Sequence, residues 1–176
     1  DIVKQGKALY VGISKYPPAQ AKIAYEMLRA AGVPCLISQY RYSMFDRTVE
    51  EKSLPLAAEQ GSGFIAFSPL AQGLLTKKYL HGIPEHSRAA RSTGFLKVDQ
   101  VTEDKVGKAR RLDEIAARRG QTLAEMALAW VLKDERMTSV IVGTSSVKQL
   151  ADNLHALDNL NFTNEELAEI EGILRL

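Results

Sequence analysis

The sequence predicts an α/β protein with four parallel strands and flanking helices, which is the arrangement of half a (β/α)8 barrel. Short apolar segments alternate with helix-like segments along the chain, and this alternation favours a parallel sheet. Each apolar segment also runs directly into polar residues, as strands do at the rim of a barrel. A small doubly wound sheet would show the same alternation and stays open at this point.

The composition is that of one globular domain spanning residues 1–176. Its hydrophobic content of 45% and charged content of 25% are ordinary for such a domain. The net charge of +2, with no basic run interleaved with aromatics, excludes nucleic acid as an expected partner. No apolar run approaches the roughly 20 residues of a membrane span, so we expect no membrane partner and a cytoplasmic location. The single cysteine, Cys35, excludes an internal disulfide and is expected to be a buried thiol.

The first quarter of the chain predicts a strand, a helix and a second strand. Residues 8–13 form the first strand candidate, and residues 35–39 form the second. Between them Pro17-Pro18 opens a helix, because proline fits the first turn, and Gly32 ends it.

A short helix is expected before the third strand. Thr48 and Glu51 match a capping box that would open it. Pro55 is expected to break or restart this helix, and Gly61 to end it. Residues 64–67 are the third strand candidate, apolar throughout, as in a strand that is buried on both faces.

Two helices follow a long connection at residues 80–101, which lacks a clean period and is of the kind that is usually functional or mobile. The apolar stripe of the first helix is Val106, Ala109, Leu112, Ile115 and Ala116. Thr122 and Glu125 form a capping box for the second, where Trp130 falls on the core-facing stripe. The arginines around these helices are expected to form a solvated face: Arg88, Arg91, Arg110, Arg111, Arg118 and Arg119.

The last part of the chain predicts a fourth strand at residues 139–142 and two helices. Ser146 and Gln149 match a capping box for the first helix. Its apolar stripe is Leu150, Ala151, Leu154 and Leu157. Thr163 and Glu166 open the final helix in the same way.

Polar residues after the third and fourth strands suit an anionic, aromatic ligand. The third strand delivers Phe67 and Ser68, followed by Gly73 and the cations Lys77 and Lys78. Small residues at 143–145 stand before a helix start, where free backbone N–H groups and the helix dipole bind phosphate. A core strand with a solvated basic loop, and an ordinary capped helix start, are the alternatives. In a barrel, the polar residues that follow all four strands would meet at one rim.

Four segments together resemble the aldo-keto reductase family: residues 6–14, residues 38–47, residues 67–73, and residues 140–145 with 149–153. The resemblance is greatest to the branch that contains potassium-channel β subunits and bacterial reductases of glyceraldehyde 3-phosphate and other small aldehydes. It spans essentially the whole chain. It implies the C-terminal half of a (β/α)8 TIM barrel that binds NADP(H) without a Rossmann fold.

The resemblance also implies which residues contact the cofactor. Ser14 and Gln39 would hydrogen-bond the nicotinamide carboxamide, while Phe67 would stack on the nicotinamide ring. The pyrophosphate would be contacted by Ser68, Leu70, Gly73 and Lys78, and Gly143 is a further expected cofactor contact.

At the other end of the cofactor, the resemblance implies that Arg88, Ser145 and Gln149 hold the adenosine 2′-phosphate. Asp152 and Asn153 would bind the adenine.

Two positions depart from the family pattern. Lys15 stands where Asn or Arg is usual. Lys77 stands where many relatives have Gly, which leaves open whether Lys77 or Lys78 reaches the phosphates.

No catalytic residue is predicted in this chain. The resemblance implies that the family's catalytic Asp, Tyr, Lys and His lie on the first half of the barrel. Because a four-stranded half-barrel leaves two sheet edges and an open inner face, we expect another half ahead of Asp1 or in a partner chain. The three histidines, His81, His86 and His155, are expected at the surface, and no metal-ligand spacing occurs.

The function implied is NADPH-dependent reduction of an aldehyde or ketone to an alcohol by hydride transfer, on a small carbonyl substrate. This segment would supply most of the cofactor site and would be inactive alone. A non-catalytic NADP(H)-sensing regulatory subunit is one alternative, and a phosphate-handling barrel such as an isomerase or aldolase is another. The sequence leaves open whether the protein forms a homo-oligomer.

Overall fold

The computed structural model of the protein describes residues 1–87, 89–90 and 95–175. Its strands are β1 (Val11–Ser14), β2 (Cys35–Arg41), β3 (Gly63–Phe67) and β4 (Ser139–Ile141). Its helices are α1 (Pro18–Ala30), α2 (Ser53–Glu59), α3 (Glu103–Arg118), α4 (Leu123–Leu132), α5 (Val147–Leu154) and α6 (Asn164–Arg175). This order confirms the predicted alternation of strands and helices. The fold is α/β and is consistent with part of a (β/α)8 barrel.

The strands pair in parallel, in the order β1-β2-β3-β4. The register places Ser14 opposite Gln39, and Arg41 opposite Phe67, which in turn lies opposite Ile141. Because parallel strands point the same way, the loops that follow them leave the sheet at one edge. We call this edge the carboxyl rim.

The helices cover one face of the sheet. Ser38 and Tyr40 of β2 are buried on that face, where Ser38 shares a 2.6 Å hydrogen bond with Tyr25 of α1. Since side chains alternate along a strand, Gln39 and Arg41 point to the opposite face. This opposite face, which we call the inner face, is covered by none of the described helices.

Gly12 allows β1 and β2 to approach each other closely. A Cβ atom at this position would lie 2.7 Å from the Ile37 carbonyl oxygen and 2.8 Å from Ile37 Cγ2. A larger residue would push the two strands apart. Gly12 therefore helps to set the position of Ser14, which lies two residues further along β1.

The helical core confirms the predicted apolar stripes of α3 and α4. α3 buries Val106, Ala109, Leu112, Ile115 and Ala116. Thr122 and Glu125 form the predicted capping box, and Trp130 is a core residue that packs against Tyr42 with ring centroids 5.6 Å apart. α4 is buried almost all round, as expected for a central helix. Within the described ranges, no helix combines the length and apolarity needed to cross a bilayer.

The capping box predicted at Thr48 and Glu51 is wrong. α2 begins at Ser53, and the Thr48 hydroxyl donates instead to Asp46 Oδ1 at 2.9 Å. A helix capped at Thr48 would place Pro55 in its interior, where proline lacks the N–H for a helical hydrogen bond and clashes with the preceding turn. Pro55 lies in the first turn of α2, where it costs no helical hydrogen bond, and the helix begins two residues before it.

Arg119 departs from the solvated arginine face that the sequence predicts. Its side chain is 2% exposed and forms an ion pair with Glu166. It also donates from Nη2 to the Asn161 carbonyl oxygen at 2.9 Å, and its guanidinium lies 3.8 Å from the centroid of the Phe162 ring. Arg118, its neighbour, is exposed as predicted. Arg119 thus ties the end of α3 to the segment that leads into α6.

Apolar side chains are exposed at both edges of the sheet. Leu9 and Tyr10 are exposed just before β1. On the far side, Leu150 and Leu154 of α5 are exposed, so the apolar stripe predicted for this helix is not covered by the described residues. Exposed apolar surface of this kind indicates a surface that another element covers.

We expect Arg119→Met to lower the free energy of unfolding by about 3 kcal/mol, because it removes the cation that pairs with Glu166 and the donor to the Asn161 carbonyl oxygen. Arg118→Met is the matched control. It removes an exposed ion pair and should cost less than about 1 kcal/mol. Urea unfolding followed by circular dichroism measures both, and equal losses would contradict the role assigned to Arg119.

Candidate functional site

A cleft of about 630 Å³ lies at the carboxyl rim, between the segments that follow β3 and β4. It brings together seven of the predicted cofactor-binding residues: Ser68, Leu70, Gly73, Lys78, Gly143, Ser145 and Gln149. The two groups are about 70 residues apart in sequence and meet because β3 and β4 are neighbours in the sheet.

The wall that follows β3 is built from left-handed backbone. Ser68, Ala71 and Gln72 have φ angles of 55°, 48° and 61°, and Gly73 has a φ of 101°. Such conformations cost non-glycine residues about 1–3 kcal/mol each and persist only where the surroundings hold them. Here Gln72 Nε2 donates to Ser68 Oγ at 3.0 Å, and Leu75 anchors the loop in the core with no exposed surface. These contacts therefore hold the wall in its left-handed conformation.

Lys77 and Lys78 have different surroundings. Lys77 Nζ lies 3.5 Å from Asp113 Oδ2 on α3. Lys78 is exposed and lines the cleft, with its backbone N–H donating to Thr76 Oγ1 at 3.2 Å. Because Lys77 already has an anionic partner outside the cleft, the geometry favours Lys78 as the cation for an anion bound there.

The wall that follows β4 begins α5. Ser146 caps this helix as predicted, since its Oγ accepts from Gln149 N at 3.1 Å. In a full capping box the Gln149 side chain would accept from the Ser146 backbone N–H, and this half of the prediction is wrong. Gln149 Oε1 accepts instead from Ser145 N at 2.9 Å and from Ser145 Oγ at 3.1 Å. The Ser145 N–H, expected to be free, is occupied by a side chain. A phosphate at this helix start would take the place of the Gln149 oxygen.

Ser14, Gln39 and Phe67 reach the same rim without lining the cleft itself. Ser14 and Gln39 are cross-strand neighbours, and Lys15 N donates to the Gln39 carbonyl oxygen at 3.0 Å. Phe67 lies opposite Ile141, which does line the cleft. The three predicted residues therefore stand on three adjacent strands, next to one end of the cleft.

Two other predicted residues, Asp152 and Asn153, do not line the cleft. Asp152 accepts from Lys148 Nζ at 2.9 Å on the surface of α5. Asn153 is buried, and its Nδ2 has no hydrogen-bond partner among the described residues. Arg88 lies outside the described residues.

Sequence reasoning missed several polar residues that line the cleft: Gln72, Thr76 and His86. His86 is exposed, as expected, and still lines the cleft. One sequence feature could have indicated this role. His86 lies in a long connection that follows a strand, and such connections are often functional. Among the described residues, no group of three or more His, Cys, Asp or Glu side chains could hold a metal ion.

Two buried tyrosines near the rim belong to the core. Desolvation raises the pKa of Tyr40 to about 12, and its hydroxyl donates to the Tyr16 carbonyl oxygen at 2.7 Å. Burial also raises the pKa of Tyr42, whose hydroxyl donates to Glu50 Oε1 at 2.8 Å. Both hydroxyls are engaged in the fold, and neither residue lines the cleft.

Comparison with known proteins gives a family and two relatives. The sequence profile described as Aldo/keto reductase family matches residues 1–175. An L-glyceraldehyde 3-phosphate reductase of Escherichia coli O157:H7 is 48% identical over 173 residues, covering 96% of this chain and 50% of that protein. A protein of the same name from Escherichia coli strain K12 is 46% identical with the same coverage. The chain spans about half the length of these curated relatives.

We expect Gly73→Ala to lower the free energy of unfolding by about 1–2 kcal/mol, because alanine is strained at a φ of 101°. Gly107→Ala, in the middle of α3, is the control. An added Cβ there meets no atom within 4 Å, so stability should rise by about 0.5–1 kcal/mol. Thermal unfolding separates the two. A Gly73→Ala variant as stable as the parent would show that this backbone is not held in its left-handed form.

Proposed function

The chain belongs to the aldo/keto reductase family, and on this premise we propose that it is the C-terminal half of one (β/α)8 barrel. The complete protein reduces an aldehyde or ketone to an alcohol, and this segment supplies most of an NADPH site. When bound, NADPH supplies the hydride that the carbonyl carbon receives. The proton for the carbonyl oxygen comes from a residue on the other half of the barrel.

Two observations support the half-barrel proposal. The chain spans about half the length of the relatives that it matches. The exposed apolar side chains at both sheet edges, such as Leu9 and Leu154, are surfaces that further βα units would bury. Closing the barrel would remove both sheet edges and would enclose the inner face.

Phe67, Ser14 and Gln39 are proposed to hold the nicotinamide end. Their strands are neighbours, spaced about 4.8 Å apart, so the three side chains can engage one ring-sized group. Stacking on Phe67 would set the plane of the ring. Hydrogen bonds from the Ser14 hydroxyl and the Gln39 carboxamide would set its rotation within that plane.

The cleft is proposed to hold the phosphates. Lys78 offers a positive charge, and Ser68 and Gly73 give a wall with a hydroxyl and an unobstructed backbone. The observation that carries the proposal is that two distant segments converge here with this cation between them. The cleft has a volume of about 630 Å³, which leaves room for a diphosphate, and Lys78 is exposed at its wall.

The choice of NADPH over NADH is proposed to depend on the start of α5. Ser145, Gln149 and Arg88 would hold the 2′-phosphate, since hydroxyl, amide and guanidinium donors at a helix N-terminus suit a phosphate. Asp152 and Asn153 would contact the adenine.

The substrate class is proposed from the relatives. Both are named L-glyceraldehyde 3-phosphate reductase, a name that specifies a small phosphorylated aldehyde. We infer that the present protein also reduces small aldehydes and that a phosphorylated one is among them. The regulatory alternative would bind NADPH in the same cleft without turnover.

We expect Lys78→Ala in the full-length protein to weaken NADPH binding by roughly tenfold, because it removes a charge-assisted contact to a phosphate. Lys77→Ala removes the same charge one residue away, from the lysine that is paired with Asp113, and should change affinity less than about twofold. Quenching of NADPH fluorescence measures both dissociation constants. If the Lys77 variant lost more affinity than the Lys78 variant, the assignment of Lys78 would be wrong.

Full-length protein should oxidise NADPH when glyceraldehyde 3-phosphate is added, and residues 1–176 alone should not. The reason is that the proposed proton donor lies on the other half of the barrel. Absorbance at the NADPH band follows turnover. Turnover by the segment alone would contradict the division between halves, and NADPH binding by the full-length protein without turnover of any aldehyde would favour the regulatory alternative.

A further inference from the structure

Arg41 is a cation on the inner face, beside the proposed nicotinamide platform. It ends β2 and lies opposite Phe67 in the register. Its guanidinium carbon is 5.9 Å from the centroid of the Phe67 ring. Gln39, two residues earlier and on the same face, lies about 6.6 Å down the strand. Arg41 therefore stands on the rim side of the residues proposed to hold the nicotinamide.

Arg41 has weak protein partners compared with other arginines of this chain. Its Nε lies 3.9 Å from Asp46 Oδ2, and its side chain is 59% exposed. Arg47 shows the contrast, because it donates to Glu50 from two nitrogens and also pairs with Glu171. Among the described residues, the terminal nitrogens of Arg41 have no hydrogen-bond acceptor, so its fork of donors is available to a ligand.

Strand order separates Arg41 from the proposed phosphate cleft. The cleft lies on the β4 side of Phe67, where it is lined by Ser68 and Ile141. Arg41 lies on the β2 side. A cofactor that stacks on Phe67 and extends its phosphates into the cleft runs away from Arg41. An anion that reaches Arg41 must then belong to a second molecule, which is the substrate.

Lys15 adds positive charge to the same part of the rim. It directly follows β1, and its backbone N–H donates to the Gln39 carbonyl oxygen at 3.0 Å, which places it beside the end of β2. It is exposed and adopts a left-handed φ of 60°. In the part of the chain that the structure describes, Arg41 and Lys15 give this part of the rim two cations, and Asp46 is the carboxylate beside Arg41, at 3.9 Å. This balance favours an anionic substrate.

We propose that Arg41 is a specificity-determining residue that binds the anionic group of the aldehyde, a phosphate in the case of glyceraldehyde 3-phosphate. This inference rests on the proposed function and adds to it a residue that distinguishes charged from uncharged substrates. Guanidinium forks bind phosphate in a bidentate manner, so the contact also orients the substrate.

The kinetic signature of this role follows from the chemistry. Hydride transfer changes the carbonyl group and leaves the distant phosphate unchanged. The Arg41 contact is therefore equally strong in the ground state and in the transition state. Losing it should raise KM and leave kcat nearly constant.

The test compares Arg41→Gln with Arg118→Gln in the full-length protein. Arg118 is an exposed arginine at the end of α3, in the helical layer, and its substitution by Gln removes the same charge. For glyceraldehyde 3-phosphate, Arg41→Gln should raise KM roughly 10- to 100-fold, with kcat changed less than about threefold. For unphosphorylated glyceraldehyde, and for the NADPH dissociation constant, neither variant should differ from the parent. Arg41→Lys should restore part of the lost affinity, since it keeps the charge without the fork.

A binding measurement keeps the inference independent of turnover. Calorimetric titration of glycerol 3-phosphate into the NADP⁺-saturated protein should give a dissociation constant roughly 10- to 100-fold weaker for Arg41→Gln. Equal effects on charged and uncharged aldehydes, a changed affinity for NADPH, or an unchanged affinity for glycerol 3-phosphate would each overturn the role of Arg41. Absence of aldehyde reduction by the parent protein would instead overturn the proposed function, and the titration would still decide the role of Arg41.

Discussion

Parallel pairing of the strands is the constraint on which the remaining structure depends. It places the end of every strand at one edge, so that residues far apart in sequence, such as Lys78 and Ser145, line one cleft. Close approach at Gly12 and burial of one face against the helices hold the sheet in this register. The inner face stays free of the described helices, which leaves Gln39 and Phe67 available to a ligand.

The packed core and the proposed binding residues lie on different faces of the sheet. The helix-covered face contains the fully buried side chains and the hydrogen-bonded tyrosines. The strained backbone lies at the rim, where Lys15, Ser68, Ala71 and Gln72 are the described non-glycine residues with positive φ. Strain of this kind costs free energy and persists only where the surrounding structure holds it. The packed core therefore stabilises the strained backbone of the rim.

Local signals predicted the fold well because they act over a few residues. The capping box at Thr122 needs only a partner three residues away, and it formed. The same motif at Thr48 failed, because α2 begins only at Ser53, which keeps Pro55 in its first turn. The burial of Arg119 could not be predicted, since its partners lie about 40 residues further along the chain. The choice between Lys77 and Lys78 depended in the same way on Asp113, a residue of another element. Sequence patterns thus identified the elements and most of the rim, while side-chain partners depended on tertiary contacts.

The central claim is that the rim binds a phosphorylated dinucleotide with its ring on Phe67 and its phosphates in the cleft. A crystal structure of the full-length protein with NADP⁺ tests it most directly. The account predicts the nicotinamide ring in van der Waals contact with Phe67 and the diphosphate between Lys78 and the 143–145 segment. A dinucleotide bound at any other edge of the sheet, or with its adenine end on Phe67, would contradict the account.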